Sequence, residues 1–377
     1  MRSISVSDVK WAGTDIISYA LLSDGPLQND SLHPFGTAYL LHIATSTKKL
    51  KTAQATAEDL KPFFQTLKNH DQEWDKLSSD DISGYLNKRL SEGLSEASLD
   101  RTISSLKGLY RFGWEAGYLS APKCFSYNYK SPHIPLTNSR SKKRPDLHIK
   151  YINSHHFNLI ASSVIGKTPF IRERNELALH LGYRCGLRAE EVTDRRNLDT
   201  AYLSKIIKSA EANGKLTATI NIIGKRDKLR KVDIPPAATQ KIKNFMENHR
   251  NEIPPGPLIC STDGKPLVSK FASTTFRLAK EACSWSANEI TNKLLSEQIG
   301  IHLLSKSSWS NLSFHCLRHT YATNLVDFCY KHGIDPWTYL PQQMGHSDTN
   351  TTKDYIIFDA LIYGRIKILK ALEYEQL

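Results

Sequence analysis

The sequence predicts a mainly α-helical protein of two domains, with one small β-hairpin in the second domain. Three observations predict this fold class. Apolar residues recur at helical spacing over most of the 377 residues. A segment rich in Pro, Ser and charge divides the chain at 121–150, and alternating apolar residues surround a turn near 217–235. Because a domain commonly holds about 100 to 200 residues, the chain is long enough for two hydrophobic cores.

The first helical region, 31–125, is expected to be a four-helix bundle with one polar, basic face. Pro34 suits the first turn of a helix, where its missing N–H would have no partner. The side chains at 79–81 are typical of a helix N-terminus. One apolar face then repeats at helical spacing, and it consists of Leu99, Ile103, Leu106 and Tyr110. The polar residues between them, including Arg101, Thr102 and Lys107, are assigned to the other faces.

Two segments flank this bundle. Residues 1–30 carry an apolar run at 16–22 followed by a Gly-Pro pair, which predicts one or two short strands or an arm. Residues 126–150 include the basic run 140–145 and are expected to be the linker between the domains. A basic linker is usually just solvated chain, but it can also lie along nucleic-acid phosphates, and we favour the second interpretation.

The second domain, 151–377, is expected to be mainly helical. The turn at 224–228 lies between two strand-like runs, which places Lys225 at the tip of a hairpin. The stretch 201–215 predicts an extra helix, and 284–311 is a second long insertion. The apolar stretches near the C-terminus predict a helical tail.

Composition limits the class of protein. The chain has 50 Lys and Arg against 38 Asp and Glu, a formal net charge of +12. This charge suits binding of phosphates, but it is equally typical of a basic protein without a nucleic-acid partner. The six cysteines lack C-x-x-C spacing, so neither a zinc site nor a disulfide framework is expected. We find no secretion signal and no apolar run of membrane-spanning length, and we expect a cytoplasmic, nucleoid-associated protein without a membrane partner.

Cationic side chains and one tyrosine form an ordered set of motifs. The set begins with Gly186-Leu187-Arg188, which precedes a Glu at 191, and continues with a Gly-Lys pair at 224–225. Further along the chain, His315 and Arg318 are spaced by one helical turn. The last motif is a Gly-His pair at 345–346, which precedes Tyr355. Planar, permanently charged guanidiniums can clamp a phosphodiester bidentately. A phenol can attack the phosphorus to form a covalent intermediate.

In this order the motifs resemble the tyrosine recombinase family. Its signature is an Arg in a G-L-R-x-x-E context, a hairpin Lys, an H-x-x-R box, a second His or Trp, and a Tyr. The likeness covers about residues 50 to 377. It implies the family's two-domain clamp, in which a helical core-binding domain is joined to an integrase-like catalytic domain with a C-terminal exchange helix. Arg226 departs from the common G-K-G-x-K pattern, because it replaces the second Gly.

The resemblance implies how the phosphate would be held. Arg188 and Arg318 would contact the scissile phosphate, with Glu191 orienting Arg188. His315 would bond a phosphate oxygen or help to deprotonate the tyrosine. His346 would contact the phosphate and not a metal ion, and no metal site is expected.

The remaining chemistry is assigned to a phenol and an ammonium. By resemblance, Tyr355 is the nucleophile and Lys225 protonates the departing 5′ oxygen, with Lys228 as the reserve. The polar sequence around Tyr355 predicts a ring that points outwards. Tyr321 and Tyr330 have more apolar neighbours and are better candidates for the core. His319 is expected to be a structural or packing residue.

The implied activity is site-specific cleavage and rejoining of DNA through a 3′-phosphotyrosyl intermediate, without a cofactor, for integration or excision of a mobile element. A type IB topoisomerase-like enzyme and a non-catalytic DNA-binding regulator remain alternatives. The expected partners are double-stranded DNA with specific sites, further copies in a tetramer on DNA, and optional accessory DNA-bending proteins. The side chains expected to contact DNA are Arg101, Thr102, Lys107, Lys142, Lys143, Arg144, Arg226 and Lys228.

Overall fold

The computed structural model describes residues 1–11, 13–23, 31–47, 50–123, 125, 147–224, 227–296, 306–346 and 349–365. The chain divides into two units, Met1–Asn138 and Ser139–Leu377. The described elements of the first unit are β1 (Arg2–Trp11), β2 (Thr14–Ser23), β3 (Ser31–Leu32), α1 (Pro34–Thr47), α2 (Leu50–Asn69), α3 (Ser79–Ser91) and α4 (Glu96–Glu115).

A three-stranded antiparallel sheet in the order β1-β2-β3 begins the first unit. β1 and β2 pair from Arg2↔Leu22 to Trp11↔Thr14. The sheet packs on α1 and α2 through β2, whose Leu21 is fully buried in the core of this unit. The strands at 2–23 are therefore part of the first unit and do not form a separate arm.

The helices of the first unit follow from local signals. α1 begins at Pro34, and α3 begins after Ser78, whose hydroxyl accepts the N–H of Asp81 while the Asp81 carboxylate accepts the N–H of Ser78. The apolar face of α4 is buried as its helical spacing predicted, and it comprises Leu99, Ile103, Leu106 and Tyr110. The described part of this unit thus contains the four helices that the sequence predicted.

The second unit is built around α7. Its described elements are α5 (Leu147–Lys150), α6 (Ser154–Ser162), α7 (Pro169–Cys185), α8 (Ala189–Thr193), α9 (Thr200–Ala212), β4 (Ala218–Ile223), β5 (Leu229–Ile234), α10 (Pro236–His249), α11 (Phe271–Ala282), α12 (Ser284–Ser296), α13 (Lys306–Ser310), α14 (Phe314–Lys331), α15 (Pro336–Met344) and α16 (Thr349–Ile362). α7 packs against α6, α8, α10, α11 and α14. Most buried side chains of this unit belong to the cluster around α7.

The predicted β-hairpin is present in this unit. β4 and β5 pair in antiparallel register from Ala218↔Ile234 to Ile223↔Leu229. The predicted extra helix is α9, which packs on β4. The long insertion contains α12, which is tied to α6 by the His156 Nε2 to Thr291 Oγ1 contact of 2.9 Å.

A second apolar cluster joins α14, α15 and α16. Leu147 of α5 is buried in it, so residues 147–150 belong to the second unit and not to the linker assigned from sequence. The apolar stretch at 356–362 is the second half of α16 and packs within its own unit. The rest of the predicted C-terminal exchange tail, 366–377, lies outside the described residues. No helix in the described ranges is long and apolar enough to span a membrane.

Candidate active site

Arg188 lies directly after the turn that ends α7. Gly186 has a φ of +63° there, and a Cβ at this position would lie 2.4 Å from the ring of Tyr321, so glycine is required on both counts. Arg188 is the N-cap of α8, and 33% of its side chain is exposed. Its backbone N–H and its Nη1 donate to the carboxylate of Glu191 at 2.8 and 2.7 Å. The predicted contact between Arg188 and Glu191 is present.

Glu191 is shared between two arginines. Only 3% of this residue is exposed, and Arg230 on β5 donates from Nη1 and Nη2 to its two oxygens at 2.7 Å each. Burial alone raises the pKa of Glu191, but the hydrogen bonds and charge of Arg230, assisted by Arg188 and Arg318, outweigh burial and lower it to about 2. The buried carboxylate is therefore ionised, and its negative charge is balanced by Arg188 and Arg230.

Sequence reasoning missed Arg230. Its Nε also donates to the backbone oxygen of Gln343 in α15 at 3.0 Å, so it connects the hairpin to both Glu191 and α15. A signal was available in the alternation of β5, because Arg230 occupies the same inward register as Val232 and Ile234. A charged residue at an inward position of a strand indicates a buried partner.

Arg318 on α14 is 2% exposed. Its guanidinium donates to the backbone oxygens of Gly186 and Met344, which end α7 and α15. Burial and then the charges of Arg188 and Arg230 lower its pKa to about 9, so the guanidinium stays charged at neutral pH. The two predicted arginines are thus close enough to affect each other electrostatically, and Arg188 is the more exposed of the two.

Tyr355 on α16 is buried, with 3% of its surface exposed. The predicted outward-pointing ring is therefore wrong. The reason is the orientation of α16, which turns Thr352, Tyr355 and Ile356 to the interior although the neighbouring sequence is polar. Burial raises the pKa of Tyr355 to about 12, while the charges of Arg318 and Arg188 act in the opposite direction. Its hydroxyl lies 2.6 Å from Nδ1 of His319, a residue that the sequence analysis assigned to packing.

Two further imidazoles complete the surroundings of Tyr355. The His346 ring is nearly parallel to the Tyr355 ring, with 5.8 Å between centroids, and its Nδ1 lies 3.3 Å from Thr352 Oγ1. The His315 ring meets His319 edge to face, with centroids 4.5 Å apart. Desolvation and then the charges of Arg318 and Arg188 lower the pKa of His315, although the residue as a whole is exposed. The structure therefore groups five predicted residues, which are Arg188, His315, Arg318, His346 and Tyr355.

The predicted general acid cannot be located in the same way. Lys225 and Arg226 lie outside the described residues, as do the linker residues Lys142, Lys143 and Arg144. Lys228 is exposed beside the turn, where its backbone oxygen accepts the N–H of Gly224 at 2.9 Å. Within the described ranges, no three His, Cys, Asp or Glu side chains are grouped as metal ligands.

The structure contradicts part of the prediction that the polar face of α4 contacts DNA. Lys107 is exposed, and Arg101 donates to the Asp59 carboxylate from Nε and Nη2 at 2.8 to 3.0 Å. Thr102 is only 5% exposed, and its hydroxyl donates to the backbone oxygen of Ser98 at 3.0 Å. The buried Asp59 carboxylate holds the guanidinium of Arg101, whose side chain stays 55% exposed, whereas Thr102 is buried and is wrong as a DNA contact.

Two family models match the chain. The model described as "Phage integrase, N-terminal SAM-like domain" matches residues 37–117, and the "Phage integrase family" model matches residues 165–360. Among curated relatives, tyrosine recombinase XerC of Chlorobaculum tepidum is 24% identical over 337 residues, which cover 84% of this chain and 88% of that protein. Tyrosine recombinase XerD of Pasteurella multocida is 26% identical and covers 79% and 84%.

Solved structures confirm the fold class. The XerH site-specific recombinase bound to palindromic difH substrate, in a post-cleavage complex, aligns with a TM-score of 0.56 at 19% identity, covering 84% of this chain and 79% of that one. A lambda integrase dimer bound to a COC′ core site aligns with a TM-score of 0.54 at 16% identity, covering 89% and 77%. The "Phage integrase family" match spans more than half of the 377 residues and contains all five grouped residues, so the chain belongs to the phage integrase family of tyrosine recombinases.

Proposed function

We propose that this tyrosine recombinase cleaves and rejoins double-stranded DNA at specific sites, with Tyr355 as the nucleophile. The observation that carries the proposal is the position of the Tyr355 hydroxyl, which lies on His319 and within the electrostatic reach of Arg318 and Arg188. A phenol, two guanidiniums and neighbouring imidazoles are the groups that phosphoryl transfer to tyrosine requires.

The proposed roles follow from exposure and charge. Arg188 is open enough to receive a phosphate oxygen, and Glu191 fixes its guanidinium. Arg318 adds its charge from the protein interior. As the phenol attacks, negative charge grows on the non-bridging oxygens, and these fixed cations stabilise it at no reorganisation cost.

The reaction conserves the energy of the broken bond. The Tyr355 Oη–P bond forms as the P–O5′ bond breaks, and the 5′ oxygen takes a proton, for which Lys225 is the proposed donor and Lys228 the reserve. The product is a 3′-phosphotyrosyl link and a free 5′ hydroxyl. The 5′ hydroxyl of a partner strand then reverses the step, so no external energy source is needed. His315 and His346 are proposed to hydrogen-bond the phosphate.

Relatives support a DNA substrate. The XerH structure contains its difH substrate and the lambda integrase structure contains a COC′ core site. The net charge of +12 is compatible with a polyanionic partner. The proposal also includes assembly as a tetramer through the tail at 366–377, help from DNA-bending proteins, and action on a mobile element at the nucleoid. Because the relatives are recombinases, a topoisomerase-like enzyme or a non-catalytic regulator is not favoured.

Covalent adduct formation tests the proposal. A site is first selected from random-sequence duplex DNA by binding to Tyr355→Phe, and it is then built as a nicked suicide substrate. Wild type and the matched control Tyr363→Phe, which alters an exposed tyrosine just beyond α16, should form a denaturation-resistant protein–DNA adduct. Tyr355→Phe should form none. A wild-type protein that binds the site and yields no adduct would contradict the proposal.

A further inference from the structure

His319 contacts the atom that would react. We propose that His319 accepts the proton of Tyr355 as this tyrosine attacks DNA, an inference that rests on the proposed nucleophilic role of Tyr355. Its Nδ1 lies 2.6 Å from Tyr355 Oη. In the described part of the chain, His319 is the hydrogen-bond partner of that hydroxyl. The distance is within the range in which a general base removes a proton directly.

The backbone of α14 holds His319 firmly in place. The backbone oxygen of His319 accepts the hydroxyl of Thr323 at 3.1 Å, and the next residue, Thr320, accepts the N–H of Ile152 at 2.9 Å through its hydroxyl. The preceding residue is Arg318, which is itself fixed by two backbone oxygens. The proposed proton acceptor and the buried cation Arg318 are therefore adjacent on one helix.

The alternative acceptors are engaged elsewhere. The Nδ1 of His346 lies against Thr352, and its ring stacks on the Tyr355 ring, so this imidazole contacts the face of the phenol and not its hydroxyl. The His315 ring contacts His319 and not Tyr355, which leaves His315 for a phosphate oxygen. This geometry favours the first of the two alternative roles of His315, the hydrogen bond to a phosphate oxygen, and leaves removal of the tyrosine proton to His319.

Burial and, after it, the neighbouring groups keep the imidazole of His319 neutral. His315 and Arg318 face it from α14, Lys150 from α5, and His346 from the end of α15. Burial together with these groups lowers the pKa of His319 to about 3, so the ring keeps the lone pair that an acceptor needs. On α16 it faces Tyr355, which lies next to the acidic Asp354.

A bound phosphodiester changes this balance. With a pKa of about 12 on the phenol and about 3 on the imidazole, proton transfer is strongly uphill when no phosphate is bound. A phosphate anion beside Arg318 offsets the positive charges that lower the pKa of His319, and it thereby makes the imidazole a stronger base. The base thus becomes competent when substrate is in place.

The O–H bond of Tyr355 breaks and its proton moves to Nδ1 of His319, while Oη bonds to phosphorus and the P–O5′ bond breaks. The 5′ oxygen takes its proton from a separate donor, for which Lys225 is proposed. In the reverse step, the imidazolium of His319 returns the proton to the departing phenolate.

A substrate with a 5′-bridging sulfur separates the base from the acid. A thiolate leaves without protonation, so such DNA makes the general acid dispensable but still requires removal of the tyrosine proton. The critical variant is His319→Asn, whose amide oxygen can accept the hydrogen bond but not the proton. The matched variants are His315→Asn, the same change one helical turn away, and Lys225→Ala.

Adduct formation by His319→Asn should be slower by about 100-fold or more on both the oxygen and the sulfur substrate. Lys225→Ala should be slow on the oxygen substrate alone. The low-pH decline of the wild-type rate, which reports protonation of the acceptor, should be absent in His319→Asn and present in His315→Asn. DNA affinity and the urea unfolding midpoint are measured for each variant, and the Gln variant at the same position replaces an Asn variant that does not fold.

Two outcomes would overturn the inference while wild type still forms its adduct. One is a His319→Asn rate within about threefold of wild type on the oxygen substrate. The other is a slow rate of His319→Asn on the oxygen substrate that returns to the wild-type rate on the sulfur substrate, which would mean that His319 helps to protonate the 5′ oxygen. Failure of wild type itself would instead overturn the proposed function, so the two results are distinguishable.

Discussion

The carboxylate of Glu191 gives a quantitative test of the arginine site. We expect Glu191→Gln to destabilise the second unit by about 3 kcal/mol at pH 7. The side chain is buried, and it accepts two hydrogen bonds from Arg188 and two from Arg230. The amide keeps the shape of the side chain, but it removes the charge and turns N–H donors towards two guanidiniums that also donate.

The magnitude follows from the pKa of Glu191. Its ordinary value is 4.5 and its value in the folded protein is about 2. A difference of about 2.5 units at 1.36 kcal/mol per unit gives about 3 kcal/mol. Because the folded value is the lower one, the contribution is complete above about pH 5 and is lost as the pH falls towards 2. Removing one member of a buried ion pair costs about 3 to 5 kcal/mol, which agrees.

Urea unfolding followed by circular dichroism measures this difference. The gap between wild type and Glu191→Gln should be almost the same at pH 7 and pH 5, and it should shrink at lower pH for as long as the protein stays folded. Glu190→Gln is the matched control, because this neighbour is exposed and the change should cost less than about 0.5 kcal/mol. A gap below about 1 kcal/mol at pH 7 would refute the assigned role of the buried charge.

Three further predictions concern single positions. Gly345→Ala should lower the free energy of unfolding by more than Gly333→Ala, and thermal unfolding compares the two variants. Both residues have positive φ, but only at 345 would a Cβ lie 2.9 Å from a buried arginine side chain. Lys107→Ala should weaken DNA binding and reduce its salt slope by about one, whereas Thr102→Val should leave the slope unchanged in mobility shifts at several salt concentrations. Arg318→Lys should slow adduct formation on suicide DNA by about 100-fold, since a single ammonium cannot replace a fixed planar fork; near-normal rates would contradict this.

The predictable part of the fold came from signals that act over a few residues. Helical spacing in α4 and alternation in β4 and β5 are properties of consecutive residues, and the structure has both elements. The ordered motifs also pointed to Arg188, Arg318 and Tyr355, which the structure brings together although they lie at the N-cap of α8, on α14 and on α16. Here the resemblance supplied the long-range information that no local pattern contains.

The errors concern how elements are rotated against one another. The sequence around Tyr355 is polar, yet the orientation of α16 buries this residue. The polar residue Thr102 is buried beside Asp59, which lies on another helix. Arg230 and His319 were missed for the same reason, because their partners Glu191 and Tyr355 are distant in sequence and only packing brings them together.

Because the hairpin is attached to α15, it consists of a stem that is held in place and a turn that can be exchanged. Asp233 of β5 donates its N–H to the side chain of Gln343 and accepts from the hydroxyl of Tyr339, and Arg230 anchors the same strand. The turn is closed by the 2.9 Å hydrogen bond from Gly224 N–H to the oxygen of Lys228. Turns of other lengths or sequences that keep a lysine in place of the proposed acid Lys225 can therefore be grafted between these two residues, which offers a way to engineer the hairpin tip while leaving the arginine site intact.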